Sequence, residues 1–198
     1  RYAEALKYGF YQVRELKLLK NSLILEIQER LIGNSAGFRK IPGTALKNQF
    51  GNLIYTPPQG GDEVAQLMSN LEKYIHNENG VDGLIKLAVV HHQFESIHPF
   101  YDGNGRTGRI LNVLLLVLYQ YLDLPILYLS RYITQHKGKY YQLLQSVRDR
   151  GEWEAWLLFM LECIEVTAQE TVELILSSHK GVHLAEQLKS LPSINAQR

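Results

Sequence analysis

The segment HHQFESIHPFYDGNGRTGRILNVLLL, residues 91–116, restricts the fold more than any other stretch of the chain. An apolar, helix-like run leads in, Gly103, Gly105 and Gly108 interrupt it, and unbroken leucine and valine lead out. Two largely buried helices joined by a tight loop satisfy that pattern, because a helix without a polar face needs neighbours all round. The loop is anything but apolar. His98, Asp102, Asn104, Arg106 and Arg109 fall within twelve positions. A simple turn needs a glycine or two and no such set of charges, so the loop has the make-up of an anion-binding element.

Elsewhere the helical period dominates. Ala3, Leu6, Phe10, Val13, Leu16, Leu23, Ile27 and Leu31 recur at spacings of three and four or their multiples, which predicts helix across residues 2–33. GNSAGFRKIPG (33–43) is a glycine-dense loop. Residues 52–56 read as a short β piece closed by Pro57-Pro58 and Gly60-Gly61, hence a small hairpin near residues 50–57. An acidic cap opens an amphipathic helix over 62–78, a more buried helix covers 82–96, and helices follow near 105–122, 130–150 and 152–179. The expected fold class is mainly α, a compact helical bundle with one small hairpin. Its core is expected over residues 1–180, with 181–198 a polar tail or a linker to a further domain. The chain opens RYAEALKYGF, without methionine and inside a helical pattern, so residues upstream are expected to have been removed.

Composition narrows the function. Hydrophobic residues make up 45% of the 198, ample for one core, and 21% charged residues exclude general disorder. With 21 basic and 20 acidic residues the formal charge is +1, so no basic surplus points to nucleic acid. Anion binding has to be local. The apolar run at 110–129 is broken by Tyr119, Gln120, Asp123 and Pro125 and falls short of a membrane span. A single cysteine, Cys163, excludes an internal disulfide framework and favours a reducing compartment, the cytoplasm.

The loop residues suggest their own chemistry. Glycines on both sides of Asn104 let the backbone take positive φ and turn successive N–H groups inward. Such concave amide runs bind anions, the more so where a helix begins. Arg106 and Arg109 stand at that helix start, where a cation gains nothing from the dipole, so they ask for an external negative partner, phosphate above all. Asp102 beside a polyphosphate would be repelled unless it holds Mg²⁺. His98, with an ordinary pKa of about 6.5, is a candidate general base. Phe100 would point inward as an anchor.

HPFYDGNGRTGR also matches every fixed position of the signature of Fic proteins: histidine-x-phenylalanine-x-acid-glycine-asparagine-glycine-arginine-x-x-arginine. GNLIYTPPQGG, DEVAQLMSNLEKYI and KGKYYQLLQSVRDRGEWEAWLLFML resemble the family in order and spacing, so the resemblance spans residues 2–180. It implies a helical Fic-type enzyme that moves AMP from ATP to a serine, threonine or tyrosine hydroxyl of a target protein or of itself, releasing pyrophosphate. ATP is then the co-substrate and Mg²⁺ the cofactor. Spacing alone does not distinguish AMP from UMP or a simpler phosphoryl group.

Carried over by resemblance, His98 deprotonates the acceptor and Asp102 holds Mg²⁺ against the α- and β-phosphates. Asn104, with the amides around Gly103 and Gly105, binds phosphate oxygens. Arg106 and Arg109 reach the outer phosphates, Arg109 the γ-phosphate. Gly51, Asn52, Leu53, Ile54, Tyr55 and Thr56 resemble the flap, an edge strand that aligns the target backbone by β-addition. Tyr141 lies where relatives place a tyrosine near adenine; on its own it reads equally as a half-buried helix aromatic. Seven residues on, where some relatives carry asparagine, this chain has Arg148. Several relatives form homodimers, and the same is open here.

Many relatives are restrained by a helix carrying serine or threonine, three residues, then glutamate and glycine or asparagine. The nearest match, Ser22 to Glu26, is followed by Ile27, so Glu26 reads as a helix-surface acid and an inhibitory helix is expected upstream. Three rivals stand beside this reading. His91, Glu95 and His98 have a helical spacing that could bind Zn²⁺, but Pro99 interrupts it and zinc explains neither arginines nor glycines. A non-catalytic nucleotide-binding regulator has no use for a general base. Removal of AMP from a modified protein depends, in relatives, on the glutamate missing here. Trp153 and Trp156 read as packing aromatics, and His76, His136, His179 and His183 have no constellation around them.

Overall fold

The described residues, 1–47 and 50–177 of a computed structural model, form α1 (Tyr2–Leu16), α2 (Asn21–Ile32), β1 (Leu46–Lys47), β2 (Leu53–Tyr55), α3 (Gly61–His76), α4 (Gly83–Ile97), α5 (Asn104–Leu118), α6 (Ser130–Gln135), α7 (Lys137–Arg150) and α8 (Trp153–Ser177). The polar tail expected at 181–198, His179 and His183 lie outside the described residues.

The two apolar runs flanking the glycine loop are α4 and α5, and they pack on each other at the centre of the bundle. Residues 110–117 of α5 are all buried, the state required of a helix with apolar residues on every face. Around this pair, α1 and α2 cover α5, while α3 and α8 cover α4. Asp82 caps α4 by accepting a 2.8 Å hydrogen bond from the Leu84 N–H. Trp156 of α8 is fully buried and donates its indole N–H to the Ala88 carbonyl at 2.9 Å, which bolts α8 to α4.

Two expected helices are broken. The apolar period across 2–33 hides a reversal: Lys17 adopts φ 54° and closes α1, and α2 folds back against it. Leu16 and Leu23 are seven apart, so the spacing continues through a turn that the period cannot reveal. Leu19, in the connection, is fully buried and acts as the pivot. Likewise the helix expected over 130–150 divides at His136, whose ring nitrogen Nδ1 lies 3.0 Å from the Tyr132 carbonyl.

The hairpin also differs in extent from the expected 50–57. Its first strand lies upstream at β1, antiparallel to β2 with Leu46 opposite Tyr55. Leu53 and Ile54 of β2 are exposed, and β2 has no second partner strand among the described residues. No helix of the described residues is long and apolar enough to cross a membrane.

At Gly9 of α1, a Cβ would approach Leu114 of α5 to 2.8 Å and Ile27 of α2 to 2.9 Å. Gly9→Val is therefore expected to force the three helices apart and destabilise the fold by about 1–3 kcal/mol, read as a lower urea midpoint at unchanged slope.

Candidate functional site

Between α4 and α5 the chain turns through the glycine loop. Gly103 has φ 86° and precedes the first residue of α5. A side chain there would be strained, and its Cβ would lie 2.7 Å from Ile32 Cδ1. Asn104, 3% exposed, closes the loop: its Oδ1 accepts from the Phe100 N–H and its Nδ2 donates to the Phe100 carbonyl, both at 2.8 Å. Phe100 is fully buried, its ring against Phe38 and Phe94. Both residues were expected in the phosphate-binding loop, Phe100 as its inward anchor. Phe100 is that core anchor, and the Asn104 side chain, expected on phosphate oxygens, is committed to holding the turn.

The first turn of α5 leaves its opening N–H groups without intrahelical partners. It borders a cleft of about 310 Å³ lined by His98, Tyr101, Asp102, Gly103, Asn104, Gly105, Arg106 and Arg109. The fold thus gathers most of the residues singled out in the sequence around one concavity. Asp102 is its only acid among the lining residues.

His98 ends α4 in the left-handed conformation, φ 50° and ψ 59°, which a non-glycine residue holds only when its surroundings impose it. Arg39, 1% exposed, imposes it: Nε donates to the His98 carbonyl at 2.8 Å and Nη2 donates to the Ile97 carbonyl at 3.1 Å. Burial, with smaller contributions from the Arg39 and Arg148 charges, lowers the His98 pKa to about 4, partly opposed by the Glu95 carbonyl. The imidazole is consequently neutral at neutral pH and able to accept a proton.

Asp102 and Arg106 form an exposed ion pair of 3.2 Å across one helical turn, a contact of small energy that an incoming ligand can displace. The second oxygen of the Asp102 pair, Oδ1, accepts from the Gly103 N–H at 2.6 Å, and Gln28 of α2 donates to the Asp102 carbonyl. Arg109 makes no ion pair with another described residue. Behind it sits Glu95, whose Oε1 is buried without a hydrogen-bond partner and fills the space that a Cβ on Gly108 would need, 2.6 Å away. Burial raises the Glu95 pKa to about 7, with the Arg109 and Arg148 charges pulling the other way.

Other expected contributors lie apart. Tyr141 is 55% exposed on α7, outside the cleft lining. Of the flap residues, Tyr55 reaches inward and donates its hydroxyl to the Ser96 carbonyl at 3.1 Å. Glu26 is exposed and accepts from the Tyr8 hydroxyl, away from Arg109. His91, Glu95 and His98 do not converge: His91 Nε2 pairs with the Tyr140 hydroxyl at 2.9 Å, and no group of three potential ligands occurs among the described residues.

Sequence reasoning missed Arg39 and Glu95 as determinants of this geometry. Arg39 also donates to the Pro58 carbonyl and so joins the flap's end to the histidine turn. Nothing local marks it beyond a charge between Phe38 and the loop glycines. For Glu95 the available sign was Gly108, a helical glycine opposite it.

Residues 18–116, half of the chain, match the Fic/DOC family. Over 146 residues the chain is 31% identical to Protein adenylyltransferase Fic of Drosophila yakuba and of Drosophila melanogaster. That alignment takes in 73% of this chain and 28% of each relative, so the chain spans less than a third of their length. The crystal structure of a Fic family protein from Desulfovibrio desulfuricans superposes with a TM-score of 0.70 at 26% identity, over 85% of this chain and 52% of that one.

Glu95 generates a test with a defined sign. Its folded pKa is raised, so its stabilising contribution is complete below the ordinary value of 4.5 and is lost as pH rises through 7. Glu95→Gln keeps the neutral shape. The variant should match the wild-type protein at pH 4 and exceed it by about 3 kcal/mol at pH 8, read by urea unfolding at both values.

Proposed function

The chain belongs to the Fic/DOC family, and on that premise we propose that it is the catalytic unit of a protein adenylyltransferase, moving AMP from ATP to a hydroxyl of a partner protein or a second copy of itself. One observation carries the reading: a neutral, sterically imposed imidazole opens onto the same cleft as the amide-rich start of α5 and two arginines. The arrangement suits an acceptor on the histidine side and phosphates on the loop side.

In this reading His98 takes the acceptor's proton as the hydroxyl oxygen attacks the α-phosphorus. The bond to the bridging oxygen breaks, and pyrophosphate leaves with the displaced charge. The opening amides of α5 bind the transferring phosphate, favoured by the helix dipole. Arg106, released from Asp102, and Arg109 meet the outer phosphates. A lone carboxylate in an otherwise amide- and arginine-lined cleft fits Mg²⁺, which binds through one or two carboxylates and the phosphates themselves. When bound, it would neutralise charge shared between two phosphates, with Asp102 as its protein ligand. Tyr141, near enough for Arg109 to influence its hydroxyl, would border the base. The free edge of β2 would receive the acceptor backbone. With one cysteine, the buried Cys163, the sequence can form no internal disulfide, which suits a reducing compartment such as the cytoplasm.

The test is label transfer from ATP carrying its label in turn at the α- and the γ-phosphate, with Mg²⁺ and His98→Ala as control. The expected outcome is α-label and a one-AMP mass gain on protein, lowered by at least about a hundredfold in the variant. γ-Label would establish phosphoryl transfer instead. Saturable ATP binding without any transfer would favour a binding-only regulator.

A further inference from the structure

The guanidinium of Arg148 on α7 lies 3.9 Å over the ring of Tyr55 on β2. Its Nε donates to the Ser96 hydroxyl at 2.9 Å and its Nη2 donates to the Glu95 carbonyl at 3.3 Å. Tyr55 in turn donates to the Ser96 carbonyl at 3.1 Å. Ser96 stands two residues before His98, so a single side chain ties the flap strand to the turn that carries the imidazole. Arg148 has no ion-pair partner among the described residues. Its charge is met by an aromatic face, a hydroxyl, a carbonyl and the Gln145 side-chain oxygen at 3.4 Å, a set that a planar fork can engage at once and a lysine cannot.

We propose that Arg148 is a positioning residue that latches β2 against α4 and so sets the distance between a protein acceptor and His98. The hairpin is too short to hold itself, since two strands alone are marginal in water. Leu53 and Ile54 stay exposed on the latched strand, leaving its outer edge and side chains to the acceptor. With the guanidinium engaged at the flap, Arg148 is not available to hold a nucleotide base. A loosened strand would misplace the acceptor without disturbing phosphate binding at the loop, and displacements of about 1 Å cost on the order of a hundredfold in rate.

The inference rests on the adenylyl-transfer reading only for its kinetic arm. Amide exchange of residues 53–56, followed by mass spectrometry on the whole chain, tests the latch without any activity. Wild-type protein should show protection there, and Arg148→Ala should lose it by about tenfold or more while α5 exchange stays unchanged. Arg148→Lys should fall between them, and Tyr55→Phe, which keeps the ring, should lose least. The His98→Ala protein, supplied as acceptor at rising concentration with α-labelled ATP, gives the second readout. Arg148→Ala should lower kcat/KM for that acceptor by about tenfold, with ATP affinity by titration within about twofold of wild type. Unprotected wild-type residues 53–56, or equal exchange in Arg148→Ala, overturns the latch. Increased exchange with unchanged acceptor kcat/KM overturns the positioning role. No transfer by wild-type protein counts against the adenylyltransferase reading and leaves the exchange result to decide the latch. If Arg148→Ala does not fold, Arg148→Lys and Tyr55→Leu decide by the same measurements.

Discussion

The side chain of Asn104 satisfies both backbone polar groups of Phe100, and the geometry of the site depends on that pair of hydrogen bonds. Phe100 must enter the core to anchor the loop, which takes its N–H and carbonyl away from water. Left unpaired, each would carry a desolvation penalty of about 1–3 kcal/mol. A primary amide supplies one donor and one acceptor at the right separation; a carboxylate or a hydroxyl does not. The closure places Gly103 in the left-handed region and brings α5 to its start with open N–H groups at the cleft. A helix start open to the cleft therefore arises from satisfying a buried aromatic residue's backbone.

Low dielectric surroundings do the second part of the work. His98, His91 and His92 are all held neutral by burial, at about 4, 3 and 4. Of these only His98 faces the cleft; His91 and His92 hydrogen-bond to α7 and support the wall behind it. Arg39 adds a positive charge nearby and a hydrogen bond to the His98 carbonyl, which disfavours imidazolium and fixes the backbone together. Glu95 shows the opposite response to the same burial, its proton retained up to about 7. Gly108 makes room for it, so a small residue in α5 and an acid in α4 form one packing unit behind Arg109.

Much of the fold was legible. Helix type, the central apolar pair and the hairpin follow from period and turn chemistry, because each depends on neighbours close in sequence. The breaks at Lys17 and His136 were not legible. In both, the apolar spacing runs on through the turn, since helices on either side bury faces against the same core. Within the site, the cleft residues from His98 to Arg109 were readable as one group because a single loop carries them. Asn104 was readable as a member but not in its role: a signature states which residues recur, and burial decides which of them a ligand can reach.

From the sequence alone came the glycine loop, its histidine and arginines, and a mainly α bundle, all encoded within short windows where local spacing sets the geometry. Tertiary structure decided what surrounds them. Arg39 reaches His98 across 59 positions and Arg148 reaches Ser96 across 52, distances at which no periodicity carries information. Those contacts exist because the end of α4 leaves polar groups, the His98 carbonyl and the Ser96 hydroxyl among them, that need donors, and only the folded chain shows which arginine supplies them.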